Sequence, residues 1–333
     1  MKISKNIKNI LVIRLDALGD LILSTPFFYN LRKMYPHSKI SALVKPYTKD
    51  VLINNPDIDE ILIYPDNQTS KGKKLFEKKL RGNRYDLAVS LSPITSSYKL
   101  TFSTGARIRA GYVYSDRPVQ RLMTKFLLNI CPVLDIQGEI KSGMGVSHEV
   151  RQTFSILKAL GGTPEEVPLT LFVGEPPDIP SPNRIGIHLS PKWFTQPWRF
   201  SDFDMLCKQI LDNFTNYNLL ITYGTAEEYL LDKIELKNNN KIIFKGGLSF
   251  PDWAKEISTT DLFISTDTGA LHCAVALGKK VIGIYEDSTF DHCSSQWAPW
   301  MVESEIIRKK KPDVTIKNIV DNIRKLLQIH PIT

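Results

Sequence analysis

The chain of 333 residues has no apolar run that could cross a bilayer: the longest, such as Ile10 to Ile13 and Leu21 to Leu23, fall far short of the roughly 18 residues a spanning helix needs. Cysteine is scarce. The four present, Cys131, Cys207, Cys273 and Cys293, form no Cys-x-x-Cys pair, which argues against a zinc ribbon or a disulfide framework and leaves buried free thiols as the expectation. The basic start, Met1 to Asn9, leads into a short strand carrying Arg14, Asp16 and Asp20 and not into a secretory h-region with a cleavage site, so a cytoplasmic location is expected. The first βα turn, Ile10 to Pro26, lacks the three-glycine dinucleotide fingerprint, which disfavours a nicotinamide enzyme. No helix-turn-helix, RNP or finger signature is present, and nucleic acid is not the expected partner. No carboxylate pair demands a metal either, since Asp202 and Asp204 follow Ser201 at an expected helix start, where capping accounts for them.

What is present is the composition of a globular protein, 42% apolar and 23% charged, with length enough for two domains. The net charge of +8 is divided unevenly. Residues 1–165 hold 25 Lys+Arg against 14 Asp+Glu, a balance of +11, and the remainder holds 18 against 21, a balance of −3. Much of the excess lies in Lys71 to Arg84 and in Arg107, Arg109, Arg117, Arg121 and Lys125, so an anionic partner on the N-terminal half is expected. For the 71–84 run taken alone, a solvated helix face is an equal alternative.

Short β-rich runs at Lys8 to Leu15, Lys39 to Val44, Glu60 to Tyr64, Asp86 to Leu91 and Arg107 to Val113 are separated by stretches able to form helices. Such βα alternation predicts a parallel sheet. The Pro- and Gly-rich stretch from Gly161 to Pro182 reads as a connection, after which strands recur at Arg184 to Leu189, Asn218 to Tyr223, Lys241 to Phe244, Leu262 to Ser265 and Val281 to Tyr285. Helices are expected near 202–214, 226–237, 250–258, 268–277 and 314–328. The expected fold is therefore α/β, two Rossmann-like doubly wound domains facing across a cleft, with residues 1–165 as one domain, 166–183 as linker and 184–333 as the other. The final helix is free in this reading to pack back on the N-terminal domain.

Two turns carry the chemistry. Asp261 to Tyr285 packs strand, polar turn, helix and strand into 25 residues, and Asp267, Thr268, Gly269 and His272 fall where the free N–H groups of a helix start favour a phosphate. At the first βα turn, Gly19 permits close backbone approach and Asp20 sits where a helix begins. Asp20 has two possible roles, a cap for free N–H groups or a general base for a hydroxyl nucleophile. Spacing alone favours the cap.

Three stretches together resemble the bacterial heptosyltransferases of glycosyltransferase family 9, which have the two-domain GT-B fold. They are Ile13 to Pro26 followed by Asn55 to Ile61, then His188 to Phe200, then Asp261 to Tyr285 with Asp267, Thr268, Gly269 and His272 in the family's order and spacing. The resemblance implies an inverting transfer of heptose from ADP-heptose to a sugar hydroxyl of the lipopolysaccharide core, with Asp20 as catalytic base. It implies that Asp267 holds hydroxyls of the donor sugar, that Thr268, Gly269 and His272 surround the donor diphosphate, that Trp198 belongs to the donor loop, and that Glu227 or Glu228 lies near the nucleotide ribose. The family often has a lysine two residues before that tryptophan, where this chain has Gln196, which leaves Lys192 and Arg199 as candidate cations. The segment Tyr285 to Phe290 also departs from the family's glycine-containing turn, which leaves the donor's identity open.

The basic N-terminal half, with Gly19, Lys73, Lys74, Arg107 and Arg109, is then expected to meet the anionic acceptor and, peripherally, the cytoplasmic leaflet of the inner membrane. No cofactor or metal is expected beyond the nucleotide-sugar substrate. Alternatives are a related GT-B transferase using another nucleotide sugar or a protein acceptor, and a non-catalytic sugar-nucleotide binder.

Overall fold

The computed structural model describes residues 7–66, 69–143, 145–174 and 183–329. It divides into two compact units, Met1–Phe172 and Val173–Thr333. The division falls within the Pro- and Gly-rich stretch, of which residues 175–182 lie outside the described residues, as do Met1 to Asn6 of the basic start.

In the first unit, strands β1 (Asn9–Ile13), β2 (Lys39–Val44), β3 (Glu60–Ile63), β4 (Leu87–Ser90) and β5 (Ile108–Ala110) form one parallel sheet in the order β3-β2-β1-β4-β5. The central strands are buried nearly throughout, because helices cover both faces of such a sheet and apolar residues need not alternate. The run expected as one strand over Arg107 to Val113 breaks after Ala110, and the chain resumes as β6 (Val113–Tyr114), paired in parallel with β7 (Val133–Leu134). The break comes where Gly111 passes close to β4: a Cβ there would lie 3.3 Å from the Ser90 carbonyl oxygen.

The second unit holds β8 (Arg184–His188), β9 (Asn218–Thr222), β10 (Ile242–Lys245), β11 (Leu262–Thr266), β12 (Lys280–Glu286) and β13 (Ser304–Lys309), all parallel in the order β10-β9-β8-β11-β12-β13. The edge strand β13 and the helix Phe290–Gln296 lie outside the runs picked from the sequence. Where a helix is expected near 226–237, the chain makes two 3-10 segments, Thr225–Lys233 and Glu235–Asn238, separated at an extended Ile234. The buried Asp204 carboxylate accepts the N–H groups of Glu235 and Leu236 at 3.2 Å each, which holds the interruption in place. The final helix, Pro312–Leu327, packs on the helix Phe200–Asn213 and on β13, and it lays Ile316, Ile319, Ile323 and Leu326 into the core of its own unit.

Both orders are doubly wound, and in each the strand order reverses once. In the first unit this topological switch falls between β1 and β4, and in the second between β8 and β11. A crevice forms beyond the carboxyl ends of those strand pairs, which is where ligands bind in open α/β sheets. The residues that follow β1, β8 and β11 are therefore the ones to inspect.

Candidate active site

In the first unit the residue after β1 is Arg14, which turns inward and is 2% exposed. A buried guanidinium must find oxygen on every side. Its Nη1 donates to the Leu91 carbonyl, its Nη2 donates to Glu149 Oε1 at 2.9 Å and lies 3.3 Å from Asp20 Oδ1, and its Nε lies 3.3 Å from Asp16 Oδ2. Tyr112 donates its hydroxyl to the same Glu149 oxygen at 3.1 Å. Three carboxylates thus share one cation at the switch point.

Asp20 belongs to the short helix Leu18–Ile22, in which Gly19 is buried, and its Oδ2 accepts the N–H of Ala17 at 3.2 Å. It therefore caps the helix start and also faces Arg14. Its ionisation is pushed up to about 6, chiefly by burial. Arg14 and the Ala17 N–H pull the other way, while Glu149 and Asp16 add to the rise. An aspartate in that range is ionised at neutral pH yet more basic than an ordinary carboxylate, the property of a general base.

In the second unit the turn after β8 runs through Ser190 into the 3-10 turn Pro191–Phe194, and the turn after β11 is Asp267-Thr268 leading into the helix Gly269–Ala276. The two turns are tied together. Ser190 Oγ lies 2.8 Å from Thr266 Oγ1, and Lys192 Nζ donates to the Asp267 carbonyl and lies 3.3 Å from its Oδ2. Burial raises the Asp267 carboxyl above its ordinary range, and Lys192 offsets part of that rise. Thr268 is the N-cap of the helix, with its Oγ1 3.1 Å from Ser265 Oγ, and His272 is buried one turn further in. A cation, a carboxylate and a helix start converge, an arrangement suited to a sugar phosphate.

Beneath this turn lies Lys309 of β13, 3% exposed. Its Nζ donates to the Lys192 carbonyl at 2.5 Å, the Thr195 carbonyl at 3.4 Å, Thr195 Oγ1, and Glu286 Oε1 at 3.0 Å. Thr195 in turn donates to Glu286 at 2.6 Å. Burial lowers the Lys309 pKa, and Glu286 opposes that. The segment that departs from the family's glycine turn thus supplies Glu286, which anchors the lysine under the Lys192 turn.

Several residues picked from the sequence stand elsewhere. Trp198 is 1% exposed, packs on Trp193 with ring centroids 5.5 Å apart, and donates its indole N–H to the Lys310 carbonyl at 3.0 Å, so it props the loop from within the core. Arg109 donates to the carbonyls of Leu127 at 2.9 Å and Ala106 at 2.8 Å, ordering the segment around β5 instead of presenting a free cation. Arg107 and Lys74 are exposed, and Lys73 lies over the Tyr64 ring at 5.9 Å. Between the two glutamates left open, Glu227 folds back over Gly224, where a Cβ would lie 2.4 Å from its Oε2, while Glu228 is exposed. Arg199 caps the helix Phe200–Asn213 through its backbone, accepted by Asp202 Oδ2 at 2.7 Å, and Gln196 is exposed.

Arg14 as a hub, Glu149, Lys309 and Glu286 escape a reading by motif. For Lys309 a signal exists, since Ile307 and Lys309 are two apart on a strand and so share a face, and Ile307 is core.

Comparison with known proteins bears on the fold and the family. Residues 178–324 match the model of the family described as glycosyltransferase family 9 (heptosyltransferase). Lipopolysaccharide heptosyltransferase 3 of Escherichia coli is 23% identical over 297 residues, covering 85% of this chain and 83% of that protein. The crystal structure of a family 9 glycosyl transferase from Veillonella parvula superposes with a TM-score of 0.81 at 18% identity, covering 99% of each chain. The structure of Escherichia coli ADP-heptose lps heptosyltransferase II gives a TM-score of 0.76 at 18% identity, covering 96% of this chain and 98% of that one. Two doubly wound units with switch-point sites and these neighbours give the chain the GT-B fold, and the matches in sequence make it a glycosyltransferase. Within that class its sequence is similar to glycosyltransferase family 9, whose model residues 178–324 match.

Proposed function

We propose that the chain transfers a heptose from ADP-heptose to a hydroxyl of the lipopolysaccharide core, inverting the anomeric carbon, with Asp20 as general base. The observation that carries this reading is the Asp20 carboxylate beside the switch point of the first sheet, half-buried, faced by Arg14 and titrating at about 6. The named substrates of the Escherichia coli relatives supply the donor and acceptor classes. The Asp20 carboxylate takes the proton of the acceptor hydroxyl as that oxygen attacks the anomeric carbon, and the bond to the diphosphate breaks with its electron pair leaving on ADP. Asp267 accepts hydrogen bonds from hydroxyls of the donor sugar. Lys192 and the N–H groups at the start of the helix Gly269–Ala276, with Thr268, Gly269 and His272 around them, meet the charge developing on the diphosphate. This electrostatic role needs no metal in principle. Glu227 sits at the turn suited to the nucleotide ribose. Lys73, Lys74 and Arg107, on the basic first unit, meet the anionic acceptor and the anionic leaflet that carries its lipid.

Purified protein, ADP-heptose and a truncated core acceptor test the reading through ADP release. Asp20→Ala is expected to lower turnover by about 10²- to 10⁴-fold. In the wild type, kcat/KM is expected to fall as the pH drops through about 6, where Asp20 becomes protonated. Full turnover by Asp20→Ala, or no ADP release by the wild type, would sink the proposal.

A further inference from the structure

Three helices of the first unit lie side by side, Thr95–Ser103 packing against Ser70–Gly82 and also against Pro118–Leu127. Together they carry nine Lys or Arg and a single acidic residue, Glu77. On Pro118–Leu127 large apolar side chains stand in water: Val119 is 71% exposed, Leu122 57% and Phe126 74%. By helical spacing these three, at i, i+3 and i+7, share one edge of the outward side. Arg121 and Lys125, both exposed, follow on the adjoining edge, and buried Thr124 marks the side turned to the core. Leu75, 69% exposed among the lysines of Ser70–Gly82, repeats the combination on a second helix of the group.

An apolar edge beside a basic edge fits one kind of partner. The core of a protein interface is depleted of charge, and a second copy of this face would set basic edge against basic edge. A sheet of anionic headgroups over hydrocarbon satisfies both edges at once. At ten residues the helix is about 15 Å long, too short to span a bilayer but long enough to lie in its plane. We infer that the helix Pro118–Leu127 seats the enzyme on an anionic lipid bilayer, with Val119, Leu122 and Phe126 below the headgroups and Arg121 and Lys125 among the lipid phosphates. This deepens the proposed function, whose acceptor is lipid-borne, and rests on it.

Flotation of the full chain with vesicles of phosphatidylcholine alone, and of phosphatidylcholine with phosphatidylglycerol, tests the inference. Binding is expected only to the anionic vesicles. Leu122→Ser with Phe126→Ser, and separately Arg121→Glu with Lys125→Glu at low salt, should each weaken binding by roughly tenfold or more. Both pairs should keep the wild-type thermal midpoint and wild-type ADP release on a water-soluble acceptor, since the altered side chains are exposed and lie outside the proposed catalytic and binding residues. In Phe126→Trp, the new indole's emission should shift to the blue on anionic vesicles. Either pair binding like the wild type, an emission spectrum that does not move, or a wild-type dimer abolished by the apolar pair would overturn the inference. Failure of ADP release with vesicle binding intact would count against the proposed activity instead, so the two can be told apart.

Discussion

At the residue scale, the burial that suits Asp20 to its proposed role as base also enters the stability of the fold. The folded chain holds its proton up to about pH 6, whereas an unfolded aspartate releases it near 3.8. Between those values the folded state binds more protons, so this residue's contribution is fully present below about pH 4 and is lost as the pH rises through 6. Asp20→Asn has no charge to desolvate. It is therefore expected to be more stable than the wild type at pH 8, by up to about 3 kcal/mol if the whole shift of roughly two units is realised, with the difference closing toward pH 4. Thermal unfolding at the two pH values measures this, and equal midpoints at pH 8 would show that Arg14 already compensates the buried carboxylate. Asp20 was legible in the sequence as an acid at a helix start, which left cap and base as rival roles. The structure shows the cap and sets the same carboxylate beside Arg14, and the base role is the one proposed for it. Its surroundings were not legible, because Glu149 stands 135 residues from Arg14 and no local pattern announces which buried carboxylate will meet a given guanidinium.

At the scale of elements, the loop carrying Lys192 depends on a strand at the far edge of its sheet. The cation two residues before Trp198, expected from family resemblance, is absent, and the loop is shaped from below by Lys309, whose ammonium reaches Lys192, Thr195 and Glu286. Lys309→Met would leave the Glu286 carboxylate and the two carbonyls without that partner. Because Glu286 is 30% exposed and can regain water, the expected loss is about 2 kcal/mol, below that of a fully buried pair, and the donor KM should rise severalfold as the Lys192 turn loosens. Urea midpoints and donor titrations check the two effects separately, and adding Glu286→Gln should recover part of the stability but not the KM. Unchanged midpoints would mean that the ammonium is dispensable. The strands around this loop were legible from their apolar runs, since parallel strands buried on both faces leave a continuous signal. The edge strand β13 reads Ser-Glu-Ile-Ile-Arg-Lys, and a lysine as its inward residue hides it. The 3-10 interruption near Ile234 was hidden for a related reason: it is set by Asp204, a side chain on another helix.

At the scale of the whole molecule, charge and family signal divide between the two units. The family match lies at 178–324, almost wholly in the second unit, while the excess of positive charge lies in residues 1–165. That division follows if the second unit meets a donor of one chemical kind and the first meets an anionic acceptor. In the proposed function the Lys192, Asp267 and Thr268 cluster meets a phosphate next to a polyol, whatever base the nucleotide carries, which is why the sequence pointed to a sugar nucleotide more firmly than to a particular one. On the same proposal a nucleoside is discriminated at the turn where Glu227 lies over Gly224. A panel of nucleotide sugars examined by thermal shift resolves the point, because a ligand that binds only the folded state stabilises it by about 2.7 kcal/mol at a hundredfold excess over Kd. ADP-heptose and ADP should raise the melting temperature, UDP- and GDP-sugars should leave it in place, and Asp267→Ala should remove most of the advantage of ADP-heptose over ADP. A larger shift with a UDP-sugar would keep the GT-B class and replace the donor. An ADP-heptose shift undiminished in Asp267→Ala would take that carboxylate out of the sugar site and leave the helix start and Lys192 to hold the donor by its diphosphate alone.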